Sequence, residues 1–206
     1  MAPPKAFQFK QTAGVEGEPP ERDGRRLRAH DSRARIVAAM LELVHGGVAS
    51  PSAEQVAARA KVGLRTVFRH FKDMDSLYAE MAGVIEAELR TMFFVPFKSD
   101  DWRERLIELV RRRSAIFERI APFKRAAQAN RHRSPFADAE NVRVAAFFRD
   151  VLKAQLPPEV ARDHLRLEAL DLLLSYESWA RLRGDQDLTP RRAQEVIEAA
   201  VRKIAG

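Results

Sequence analysis

The sequence predicts an all-α protein in which a cluster of short N-terminal helices precedes a longer helical remainder. Three observations carry this. Apolar residues recur at three- and four-residue steps from Asp31 to the C-terminus, and no stretch alternates in the two-residue rhythm of a half-buried strand. The helical runs are punctuated by capping residues, a glycine pair and prolines, placed where helices start and stop. Finally, 206 residues with 46% hydrophobic content suffice for a real core, in one large domain or a small one joined to a medium one.

Residues 1–30 mix Pro, Gly, Glu and Arg without periodicity, a composition that buries too little surface to offset its ordering entropy. They read as a flexible basic tail. From Asp31, DSRARIVAAMLELVHGG places Ile36, Ala39, Met40 and Leu43 on one helical stripe and ends at Gly46-Gly47. PSAEQVAARA then opens a short second helix, with Ser52 at the N-cap, Gln55 three residues on as its capping-box partner, and Val56, Ala57 and Ala60 facing inward. After Lys61-Val62-Gly63 comes a third helix, VGLRTVFRHF. Leu64, Val67, Phe68 and Phe71 fall on one arc, expected to dock, and Arg65, Thr66, Arg69 and His70 on the other. Asp73 caps a long fourth helix that stops before Pro96. Further helices are expected over 101–119, 121–131, 138–155, 158–183 and 190–204, divided at Pro122, Ser134-Pro135, Pro157-Pro158 and the Gly184–Pro190 stretch.

The formal charge of +7 is unevenly spread. Residues 1–72 hold 13 Lys and Arg against 7 Asp and Glu, whereas residues 73–206 hold 23 against 22. A localised positive field suits a polyanion, because each contacted phosphate releases condensed counterions. With no cysteine, disulfides and thiolate metal sites are excluded, and a reducing cytoplasm is compatible. No apolar run approaches a signal-peptide core or a membrane span, so the chain reads as soluble and cytoplasmic, with no membrane partner.

Two short helices joined by a tight turn, the second carrying a cationic outer face, describe a helix-turn-helix that places its second helix in a DNA major groove. The RDGRRLR end of the tail (Arg22, Arg25, Arg26, Arg28) reads first as solvated and second as a basic arm on the same DNA. The run from Gly47 through Ser52, Val56-Ala57, Lys61-Val62-Gly63 and Thr66-Val67-Phe68-Arg69-His70-Phe71 resembles the TetR family of bacterial transcriptional regulators. Four positions depart from that pattern: Lys61 stands at the turn glycine, Gly63 at the serine that caps the third helix, Phe68 at a tyrosine, and Met74 at a common lysine. The resemblance implies that Ser52, Thr66 and His70 position phosphates and that Arg65 and Arg69 reach base edges, with Lys61 and Lys72 supplying further cationic contacts. Arg pairs bidentately with guanine O6 and N7. It also implies domains at 31–76, for DNA binding, and 77–206, for effector binding and dimerisation.

Past the fourth helix the implied architecture is a helical domain whose last two helices pair with those of a second copy, releasing DNA when an apolar or amphipathic small molecule binds. The residues agree on pattern: Leu167, Leu170, Leu174, Trp179 and Leu182 form one apolar stripe, and Ala193, Val196, Ile197, Ala200, Val201 and Ile204 another. The alternative is that both stripes pack within one chain. Candidates for lining an effector cavity are Phe94, Trp102, Phe117, Phe123, Phe147, Tyr176 and Trp179, with Asn130 and His132 as sources of polarity. Arg111, Arg112 and Arg113 span too wide an arc to face inward together and read as a solvated face. No Gly-rich phosphate loop or Gly-x-Ser-x-Gly elbow is present, so neither an enzyme nor a bound cofactor or metal is expected. The resulting expectation is a sequence-specific repressor released by an effector, with a constitutive DNA-binding protein as the rival.

Overall fold

The computed structural model describes residues 20–130 and 134–206, and among them every regular element is helical. The chain runs through α1 (Pro20–His45), α2 (Ala53–Ala60), α3 (Leu64–His70), α4 (Met74–Phe93), α5 (Trp102–Asn130), α6 (Pro135–Lys153), α7 (Pro158–Arg162), α8 (His164–Leu173), α9 (Tyr176–Ala180), a π-helical turn (Arg181–Asp185) and α10 (Pro190–Ala205). The tail expected over residues 1–30 lies outside the described residues as far as residue 19, as does His132. From Pro20 the backbone is already helical, earlier than Asp31, where the sequence pattern turns helical. The side chains of Arg22, Arg25, Arg26 and Arg28 are also outside the description.

Two compact units are formed. The first holds the described residues up to Glu86 together with Pro122–Glu140. Its core is the α1 stripe of Ile36, Ala39, Met40 and Val44, closed by Val56 and Ala57 of α2, Val67 of α3, and Leu77 and Met81 of α4. Gly47, at φ 95°, ends α1 in the left-handed region that glycine enters without a Cβ penalty, and Val48 N–H returns to the Leu43 carbonyl at 3.0 Å. The next residues are held by Asn130, only 7% exposed. Its amide nitrogen donates to the carbonyls of Ala49 (2.9 Å) and Ala126 (2.8 Å) and to the Tyr78 hydroxyl (3.1 Å), while its Oδ1 accepts from the Ser50 hydroxyl at 2.8 Å. Asn130, considered from the sequence as a source of cavity polarity, fastens the approach to α2 instead. Asn130→Ala leaves the Ala49 carbonyl and the Ser50 hydroxyl without these partners. It is expected to lower unfolding free energy by about 2–3 kcal/mol in urea titration.

The second unit holds Ala87–Ala121 and Asn141–Gly206. Leu106, Val110 and Phe117 of α5, Leu152 of α6, Leu170 of α8 and Val201 of α10 are all buried there. Two expectations are corrected in this region. Pro122 does not end a helix: α5 continues through it to Asn130, and the division between the units falls between Ala121 and Pro122. The continuous helix expected over 158–183 is broken instead, because Asp163 and Ser175 bond forward to the N–H groups of Arg166 (3.1 Å) and Ser178 (3.1 Å) and restart it as α8 and α9.

Arg113 is the third correction. It is 2% exposed, and its guanidinium donates to the carbonyls of Leu174 (2.8 Å) and Phe148, meeting an acceptor at the end of α8. Burial pushes it down to about 9, so it keeps its charge at neutral pH. Its neighbours lie nearer the surface. Arg112 pairs with Glu108 at 2.5 Å and Arg111 with Glu198 at 3.0 Å.

Candidate nucleic-acid interface

The helix-turn-helix is assembled by local rules. Ser52 Oγ accepts from Gln55 N–H at 3.2 Å while Gln55 Oε1 accepts from Ser52 N–H at 2.8 Å, the reciprocal capping box that starts α2. Lys61 ends α2 at φ 55°, the left-handed conformation that a residue with a Cβ adopts at modest cost, and Val62 N–H bonds back to the Ala57 carbonyl at 3.0 Å. Gly63 precedes α3 in extended conformation and offers no side-chain acceptor, a weakness of a few tenths of a kcal/mol beside a serine cap. Asp73 then starts α4, with its carboxylate accepting from Ser76 N–H at 2.8 Å. That bond holds the Asp73 carboxyl below its usual range.

Arg33 of α1 sets the far end of α3. Its Nε and Nη2 donate to the two carboxylate oxygens of Glu80 on α4, at 3.2 and 2.9 Å, while Nη1 donates to the His70 carbonyl at 2.7 Å. The guanidinium also stacks over Phe71, 4.3 Å from the ring centroid. One cation therefore satisfies a carbonyl at the end of α3 and opposes the negative end of its dipole. The Arg33 and Glu80 side chains are about two-fifths exposed, so solvent screens the pair and its main consequence is geometric. Sequence reasoning missed Arg33, since nothing in the α1 pattern separates it from the other arginines there.

On α3, Val67 is buried and Phe71 behind it is 2% exposed, whereas Leu64 and Phe68 are 38% and 50% exposed. The expected docking arc is therefore half wrong. A seven-residue helix meets its neighbours along a stripe narrower than the apolar arc, and Leu64 and Phe68 lie on its outer edge. Arg65 and Arg69 are exposed beside them, Lys61 and Lys72 are exposed beyond the two ends of α3, and Thr66 is half-buried. No hydrogen bond or ion pair among the described residues engages the side chains of these four cations. Several exposed arginines elsewhere do pair with carboxylates: Arg119 with Glu88, Arg191 with Glu195 and Arg59 with Glu42.

His70 is half-buried, with its Nε2 enclosed and unpartnered. Burial first, then Arg69 and Arg33, lowers its pKa below 6.5. The folded state thus resists protonation, and as pH falls through 6.5 the unfolded chain takes up the proton first. Stability conferred by a neutral His70 is complete above that pH and declines below it. His70→Gln is expected to flatten the dependence of the urea midpoint between about pH 7 and 5. Glu80 acts in a lower window. Arg33 depresses its pKa, so its contribution is lost only as pH falls through a value below 4.5.

The sequence-predicted cavity residues do not all meet. Phe117 stands edge-on to Tyr176 (ring centroids 5.7 Å apart) and lies 5.4 Å from Phe148, which in turn lies 6.0 Å from Phe147. Trp179, 1% exposed, donates from Nε1 to Glu118 at 2.9 Å. Trp102 is half-buried beside Arg103, while Phe94 is 44% exposed. Phe123 belongs to the first unit, where it lies against His45. The first unit also has a groove of about 260 Å³ between α1 and α4, bordered by His30, Ala34, Ala38 and Val84, none of them among the predicted residues. Glu42 and His45 stand at Glu-x-x-His spacing, yet Glu42 pairs with Arg59 at 3.4 Å. No group of three or more His, Cys, Asp or Glu among the described residues is placed to hold a metal ion.

The short helices α2 and α3, joined at Lys61-Val62-Gly63, form a helix-turn-helix whose outer face is cationic. Residues 36–81, from α1 into the first part of α4, match the family model described as bacterial regulatory proteins, tetR family. Its fold is similar to that of a transcriptional regulator from Rhodococcus sp. Rha1, with a TM-score of 0.57 and 20% identity, covering 84% of this chain and 95% of that one. A TetR transcriptional regulator from Rhodococcus sp. RHA1 is similar at a TM-score of 0.55 and 18% identity, covering 84% and 94%. No curated protein matches the chain. Among the described residues no helix is long and apolar enough to cross a membrane.

Proposed function

We propose that this chain is a TetR-family DNA-binding transcriptional regulator, a homodimeric repressor that holds two α3 helices in successive major grooves and leaves its operator when a small apolar or amphipathic molecule binds the second unit. The cations Lys61, Arg65, Arg69 and Lys72 carry the DNA part of this reading, for they are exposed charges that no carboxylate engages, gathered around one short helix. Ser52 and Thr66 are assigned to phosphates. His70 is assigned there too, by a ring edge other than its enclosed Nε2.

The effector part is supported by the aromatic rings of Phe117, Phe147, Phe148 and Tyr176 and by Arg113, whose Nε is buried without a partner among them. Apolar walls with a few polar groups suit such a ligand. Helix α4 begins in the first unit and ends in the second, and is the proposed lever: tilting it alters the spacing of two α3 helices that must span about 34–36 Å.

The test has two stages. Selection of a tight operator from random duplexes, followed by genome-wide footprinting, asks whether binding is sequence-specific and occludes promoters. Compounds that raise the melting temperature are then titrated with and without operator. Linkage requires an effector to bind the DNA-bound dimer more weakly, by roughly 5- to 150-fold. Equal affinities for every stabilising compound would favour the constitutive alternative.

A further inference from the structure

We propose that Phe68, with Leu64 beside it, is a specificity-determining residue that packs on a thymine 5-methyl group in the major groove of the operator. The inference rests on the reading of α3 as the groove-entering helix. At 100° per residue, Leu64, Phe68, Arg65 and Arg69 follow one another around a single exposed arc of about 140°. Half of that arc is apolar and half cationic, with Lys61 before the helix and Lys72 after it. Leaving half of a phenylalanine and over a third of a leucine in water costs burial energy that the fold could have recovered by turning α3 inward. The covering partner must therefore be a polyanion with an apolar feature within reach.

Duplex DNA meets both demands. The thymine C5-methyl is the apolar group on the major-groove edge of a base pair, and it is absent from cytosine. A protein surface fits poorly, since two apolar side chains flanked by four unpaired cations fall far short of the roughly 800 Å² that each partner buries in a stable complex. The Phe68 ring has no hydroxyl, so it cannot bond a phosphate as a tyrosine at that position would, and the exposed ring is left with van der Waals contact. Being rigid, it makes that contact at small entropic cost. Arg65 and Arg69, on the adjoining half of the arc, then address the neighbouring base pairs. The operator motif is expected to carry a thymine beside an arginine-read guanine.

The experiment uses the full chain and the selected operator, resynthesised with uracil in place of thymine at one position at a time, which deletes only the methyl group. One position in each half-site is expected to bind about fourfold more weakly, equivalent to ~0.8 kcal/mol at 1.4 kcal/mol per tenfold. Phe68→Ala should bind the thymine and uracil duplexes equally, and Phe68→Leu should keep part of the difference. Phe68 is exposed, so its variants are expected to fold, and the uracil series on the unaltered protein needs no variant. Uracil tolerated at every position overturns the proposal while leaving sequence-specific binding, and so the regulator reading, intact. A Phe68→Ala loss of the same size on thymine and uracil puts the ring on the sugar-phosphate backbone and also overturns it. Failure to select any preferred duplex instead removes the reading of α3 on which the proposal stands.

Discussion

Arg65→Ala and Arg69→Ala are each expected to weaken operator binding by about 1–3 kcal/mol, and the double variant by more than either alone. Both side chains are exposed and neither is engaged by a carboxylate, so their removal should leave thermal unfolding unchanged. That separates the effect from misfolding. Titration across salt concentrations then sorts their roles. Loss of a phosphate contact lowers the slope of log affinity against log salt by about one and weakens all sequences alike, whereas loss of a base contact relaxes preference at one base pair. Arg191→Ala is the control, because that exposed arginine is already paired with Glu195 at 3.0 Å and lies in the second unit. Should both variants bind as tightly as the parent, α3 is not the reading helix.

The parts of this structure legible in the sequence are those governed by neighbours a few residues apart. The Ser52 box, the Asp73 cap and most of the α1 stripe depend on spacing alone, and the structure has them, with Val44 buried and Leu43 only partly so; the left-handed Lys61 stands at the turn position that the resemblance marked. Contacts distant along the chain were not legible. Arg33 meets the carbonyl of His70, Asn130 reaches Ala49 and Ser50, and Arg113 finds Leu174; in each case an ordinary residue acquires its role from where the fold brings it. Width misled too. Periodicity places Leu64 and Phe68 on the same arc as Val67 but cannot say how much of that arc a short helix hides. The breaks at Asp163 and Ser175 were missed because a capping residue inside an apolar run looks like a tolerated polar position.

That lesson also moves the expected dimer surface. The stripes marked for self-association from the sequence include Leu167, Leu170, Leu174, Ala193, Ile197 and Val201, and all six are buried within a single chain. Ile197→Glu would place a carboxylate in a site 4% exposed and unfold the unit rather than separate subunits. The unused apolar surface lies on the same two helices, mostly beside those residues, although Val196 of the expected stripe is part of it. Leu165 is 86% exposed and Leu172 66%, one heptad apart on α8 and so on one face, with Val196 of α10 at 39%. Seated against a second copy, a leucine contributes about 1.5–3 kcal/mol, and two-fold symmetry makes every contact occur twice. Leu165→Glu combined with Leu172→Glu removes both contacts from both sides and sets four carboxylates in the seam. The variant is expected to sediment as a folded monomer at concentrations where the parent is a dimer, and its helical signal should be unchanged because neither leucine supports its own chain. Operator affinity should fall with dimerisation, since a monomer engages a single half-site. A parent chain that sediments as a monomer at micromolar concentration, or a double variant that remains dimeric, would remove α8 and α10 as the interface.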